Sequence, residues 1–268
     1  MLRFLLPLVA TTACTFGSPK VWVEDSATMS IAVGPARELR VATHNGGITA
    51  NAADGQATVE VRYRRRGGGA DESDAQRCLE AIAVRGAVVD QAVVVDWSWA
   101  VPRESGWGGE VEFEIDQPAS LPVTARVHNG TIVLTTPARC DAETHNGGIE
   151  IRGTTEPVRA TTHNGSIAVR ASSPSVELTT HNGGVSAAFD RSGPVDGSVT
   201  THNGTVELAF ASGVSTELHC QSVNGRITTS GLVDASFVGE NGLHAVLGQG
   251  GSKLEVGTHN GRIEIRRE

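Results

Sequence analysis

Thr162-His163-Asn164-Gly165-Ser166-Ile167 decides the fold, because near-copies of it return along the chain. Nine of the ten asparagines are followed by glycine, at Asn45, Asn129, Asn146, Asn164, Asn182, Asn203, Asn224, Asn241 and Asn260, and seven of those pairs follow a histidine. Through the C-terminal half the pairs recur every 17 to 21 residues. A unit of fixed length repeated in series is the mark of a stacked or repeating β architecture.

Outward from each corner the sequence keeps strict parity. The residues five, three and one before the histidine are small or apolar, as in Val158, Ala160, Thr162 or Leu254, Val256, Thr258, while Arg159, Thr161 and Glu255 between them are mostly polar. After the corner the apolar set resumes, as in Ile149 and Ile151, Ile167 and Val169, Val206 and Leu208, Ile263 and Ile265. Period two means half-buried strands, so each unit is two strands joined at Asn-Gly, a pair that tolerates positive φ. The nine asparagines are therefore read as structural turns. An antiparallel meander would leave one apolar face uncovered, whereas a β-solenoid of two-strand coils buries its own and explains the fixed register. The expected fold is all-β, a β-solenoid.

The first 13 residues, with Arg3 before the apolar run Phe4 to Ala10, read as an export signal too short to span a bilayer. Cys14 stands where a lipoprotein signal places the cysteine that is acylated; simple cleavage near Ala13 is the alternative. Residues 14–30 are read as an anchor-proximal linker and 31–120 as an elaborated N-terminal β section with one helix, over Asp71 to Ala81. From 121 to 268 the regular repeats continue the same solenoid. Attachment to a membrane would be through lipid. Cys140 and Cys220 are too distant in the stack to bond; a Cys78–Cys140 pair or free buried thiols both remain open.

A formal charge of −8 argues against nucleic acid as partner. Arg62, Arg64, Arg65 and Arg66 form one basic run, a solvated strand end or a contact for anionic lipid or polysaccharide. Aromatic residues make up only 4% of the chain. Trp97 and Trp99 share parity with Val93 and Val95 and read as core; Trp107, in a Gly-rich loop, is a candidate sugar-stacking surface. The chain contains no nucleophile elbow, zinc-protease motif, phosphate loop or dinucleotide fingerprint, and the outward acids Asp141, Glu143, Glu150, Glu177 and Glu207 are scattered. The expectation is no enzyme, no catalytic residue and no required cofactor. If units stack in register, His145, His163, His181 and His202 form an outward column about 4.8 Å apart. Such a column packs within the ladder, chelates Zn or Cu, or senses pH.

These units, with an elaborated β section and an export signal before them, resemble over residues 30 to 268 the bacterial putative-adhesin family of β-strand-repeat domains of unknown function, related to auto-transporter adhesin head domains. That family commonly shows T-S-N-G-D-I; this chain puts His at the Ser position and Gly, Thr, Ser or Arg at the Asp position. The resemblance implies a β-helical protein on the envelope surface and carries no catalytic residue. The function expected is an adhesin-like, membrane-anchored scaffold or binding module for a surface polysaccharide or protein; the alternative is a metal-binding or envelope-stress sensory lipoprotein using the histidine column.

Overall fold

The computed structural model describes residues 18–232, 235–238 and 241–267. The export segment and Cys14 lie outside the described residues. No helix among the described residues is long and apolar enough to cross a membrane.

Each unit sends one strand into each of two long, mainly parallel sheets. In the Asn164 unit these are Val158–Asn164 and Ile167–Ala171. Neighbouring units pair in register on both sides of the corner: Ala142, Ala160 and Leu178 lie side by side, as do Asn146, Asn164 and Asn182. Across the corner, Ile149, Ile167 and Val185 do the same. The parity read from the sequence holds, with Val158, Ala160, Thr162, Ile167 and Val169 buried between the sheets in one continuous core and their neighbours exposed or half-exposed. All-β architecture follows from that pattern; no closed barrel forms, because both sheets end in edge strands.

The series is interrupted at one place and out of chain order at another. The Asn45 unit sits directly on the Asn129 unit, and residues 54–118 leave and return between them. The Asn260 unit, strands Lys253–Asn260 and Ile263–Arg267, is inserted between the Asn203 and Asn224 units. Asn241 falls outside the series. It stands at the start of Gly242–Leu247, which pairs antiparallel with Ala235–Val238 and with Val214–Asn224 at the end of the stack. Eight of the nine expected turns are thus repeat corners, and Asn241 is a hairpin residue donating to the Val223 carbonyl at 3.1 Å.

The N-terminal section extends both sheets. Val21–Ala32 pairs with Thr58–Gly69 along its whole length, so residues 21–30, expected as linker, are an edge strand. Thr58–Gly69 pairs in turn with Gly108–Pro118. The basic run lies on the middle strand, Thr58–Gly69, and is matched by acids on the two flanking strands: Arg62 to Glu114 and Asp116, Arg64 to Glu112, Arg65 to Asp25, Arg66 to Glu110. Its charge is neutralised within the sheet, which removes it as an anion-binding patch. The helix forms at Glu72–Glu80, where Asp71 caps its start by accepting from the Asp74 N–H at 2.9 Å. Cys78 and Ala81 pack there on Trp107, which is 2% exposed and donates from Nε1 to Asp74 Oδ1 at 2.9 Å. Trp107 is therefore a buried anchor, correcting its reading as a sugar platform; its loop folds back on the helix. Trp97 and Trp99 are partly buried against the core as expected. Cys78, Cys140 and Cys220 are buried free thiols.

Candidate functional site

At the corner each residue of Thr-His-Asn-Gly has a separate task. The threonine before the histidine points inward and its hydroxyl donates to the glycine carbonyl of the adjacent unit: Thr144 to Gly130, Thr162 to Gly147, Thr180 to Gly165, Thr201 to Gly183 and Thr258 to Gly204, at 2.8–3.1 Å. The asparagines form an amide ladder. Asn129 donates from Nδ2 to Asn45 Oδ1, and the chain of donations continues through Asn146, Asn164, Asn182, Asn203, Asn260 and Asn224 at 2.8–2.9 Å. Linked amides of this kind polarise one another.

Glycine follows for two reasons, of which the sequence reading gave one: Gly46, Gly130, Gly147 and Gly183 have positive φ, at 114–155°. Outside glycine only Asp90 and Gln91 among the described residues have positive φ, so no corner asparagine needs it. The second reason is close approach: a Cβ on Gly165 would lie 1.9 Å from the Gly147 carbonyl oxygen, and one on Gly204 would lie 2.0 Å from that of Gly183.

The histidine side chains stand outward and exposed, ring on ring. His145, His163, His181 and His202 stack as expected, and the file extends to His44 and His128 at one end and His259 at the other. Centroids are 4.6–5.0 Å apart and the planes lie within 4° of parallel. The spacing is that of the strands themselves. Burial, then the neighbouring His128 ring, then the Arg103 charge hold His44 below its ordinary pKa. Metal chelation by neighbours in this file is poorly served. Imidazole lone pairs lie in the ring plane, so parallel rings aim them side by side, whereas two nitrogens at about 2.0–2.1 Å must converge on one ion.

Beside the file runs a second outward column, Arg126, Glu143, Thr161, Thr179 and Thr200, in register one unit after another. Together the columns line an open groove of about 790 Å³. Arg126 pairs with Glu143, which leaves the rest of the groove wall hydroxyl and imidazole, with Thr179 and Thr200 joined at 3.3 Å. Of the other outward acids, Glu150 pairs with Arg152 and Glu177 with Arg159. Glu207 lies in register with Glu264, a juxtaposition created by the displaced Asn260 unit and hidden from a reading in chain order.

No protein-family profile matches the chain, and no curated protein is similar to it. Several solved structures align along most of its length. A putative adhesin from Bacteroides fragilis NCTC 9343 aligns over 91% of this chain and 97% of its own at 10% identity, TM-score 0.44. A putative cell adhesion protein from Clostridium sporogenes ATCC 15579 aligns over 92% and 100% at 11% identity, TM-score 0.39. A putative adhesin from Parabacteroides distasonis ATCC 8503 aligns over 90% and 97% at 11% identity, TM-score 0.36. At such scores the likeness carries no conclusion, and any function must be argued from the chain's own residues.

Proposed function

We propose that the chain is an exported, non-catalytic, adhesin-like binding module: a β-solenoid held at the cell envelope by a lipid on Cys14, whose histidine–threonine groove takes an extended surface polysaccharide. One observation carries this reading. The groove repeats imidazole at a single spacing over successive units, flanked by threonine from Thr161 to Thr200, as a binding surface for a polymer does. Imidazole edges and threonine hydroxyls offer donors and acceptors suited to sugar hydroxyls, and the near-absence of net charge in the groove suits a neutral polymer. Arginine partners on Glu143, Glu150 and Glu177 fit a scaffold better than a pair of free catalytic acids.

The test is binding of the full chain to an array of envelope polysaccharides, with the His163→Ala/His181→Ala double variant as control. Loss of two ring contacts at about 0.5–1.5 kcal/mol each should weaken binding about fivefold or more. Equal binding by both proteins, or release of shortened saccharide during incubation, would overturn it. Labelling of cells with a fatty-acid probe should mark the wild-type chain and leave Cys14→Ala unmarked.

A further inference from the structure

A second histidine pair lies away from the stacked file, where the chain departs from the repeat. Val214–Asn224 carries Glu217 and His219 on its outer side, alternating with the buried Leu218 and Cys220. Gly242–Leu247 runs antiparallel beside it and sets His244 directly opposite His219. The two rings are 4.6 Å apart at an interplanar angle of 64°. This is the property the file lacks, since inclined rings can aim their lone pairs at one point.

We propose that Glu217, His219 and His244 form a site for one divalent transition-metal cation of the zinc class. One ligand atom from each lies within 4.8 Å of the other two. A tetrahedral zinc site sets its donors about 3.3 Å apart, so closing on an ion takes a modest rotation of side chains that are exposed or half-exposed. Two imidazole nitrogens and one carboxylate oxygen are a zinc-type donor set, too nitrogen-rich for calcium or magnesium, which take oxygen. Glu255 lies in register with His219 on the other side and adds negative charge at the rim. Lys253 Nζ donates to Glu255 at 2.7 Å, which keeps the ammonium on that acid. The hollow in front, about 650 Å³, is lined by Gln221, Asn241 and Thr200 as well, leaving room for a water or an external donor in the fourth position. A bound ion would tie the antiparallel hairpin to the end of the parallel stack.

This inference is independent of the polysaccharide reading, and its experiment separates them. Zn²⁺ is titrated into the untagged full chain by calorimetry, and Co²⁺ is used to read coordination from its visible spectrum. The expected result is one ion per chain, a tetrahedral Co²⁺ spectrum and a raised melting temperature. His244→Ala should weaken binding by about 100-fold or more and Glu217→Gln should weaken it as well, both with an unchanged circular-dichroism strand signal. His163→Ala/His181→Ala should bind Zn²⁺ as the wild type does. Absence of binding by the wild type, retention of full affinity in both His244→Ala and Glu217→Gln, or loss in the file variant instead would overturn the proposal.

Discussion

Replacing Gly165 by alanine probes the corner at its tightest point. The new Cβ would sit 1.9 Å from the Gly147 carbonyl oxygen, backbone that cannot step aside without parting two rungs. We expect a loss of about 1–3 kcal/mol in urea unfolding. Gly257→Ala is the control: its Cβ meets nothing nearer than Thr200 Cγ2 at 3.8 Å, and its stability should change by less than about 0.5 kcal/mol. Asn182→Ala removes one amide from the ladder, leaving Asn203 Nδ2 and Asn164 Oδ1 to water, at about 1 kcal/mol. His44 predicts a pH dependence. Its folded pKa is lowered from 6.5, so the unfolded chain takes up the proton first and the stabilising contribution, whole above about pH 6.5, declines as pH falls below it. Wild-type stability should therefore fall between about pH 7 and about pH 5, and less steeply in His44→Gln. At this scale the sequence showed which residues form the corner and part of why, since positive φ holds at Gly46, Gly130, Gly147 and Gly183 and at no corner asparagine. Asn-Gly signals a tight turn in isolation; ladder and close approach exist only once a second copy lies alongside.

Strands were legible wherever one face is buried, because alternation then has a physical cause. Val158–Asn164 and Ile167–Ala171 fall where parity placed them. Val21–Ala32 escaped notice because an edge strand is wet on much of its surface, and Asp25, Ser26 and Thr28 blur the period. The helix was legible from Asp71 and its acidic first turn; the burial of Trp107 was not, since it depends on a loop folding back over Cys78. The strands also fix the behaviour of the thiols. Burial pushes Cys140 and Cys220 up to about 12 from 9.0, so folding favours the neutral thiol, and their contribution, whole below about pH 9, is lost as pH rises above it. A thiol-alkylating reagent at neutral pH should leave Cys78, Cys140 and Cys220 unlabelled in the native chain and label all three in denaturant.

For the whole molecule, the stack was foreseeable and its order was not. Units that share one corner motif fit beside one another interchangeably, so nothing in Thr258-His259-Asn260 announces a place between the Asn203 and Asn224 units. That displacement changes what truncation does. In a stack built in chain order, ending the chain at residue 251 would remove only a terminal rung. Here it removes an interior one, parting the Asn203 and Asn224 amides that Asn260 bridges. Hydrogen exchange should show lost protection across Val214–Asn224 and Ile227–Ser230 as well, while Val123–Asn129 and Cys140–Asn146 keep theirs.

The inserted unit also gives the protein a temporal order. Residues 253–267 follow 214–247 in the chain, yet they occupy the slot between Glu217–Asn224 and the earlier strand ending at Asn203, while Val214 and Ser215 pair directly with the earlier Gly193–Pro194. Until they arrive, Glu217–Asn224 and Ile227–Ser230 lack the strands they pair with on that side, and the stack has a gap in its spine. Closure of the stack thus waits for the slotting segment, and a chain cut short of it stays open there to proteases.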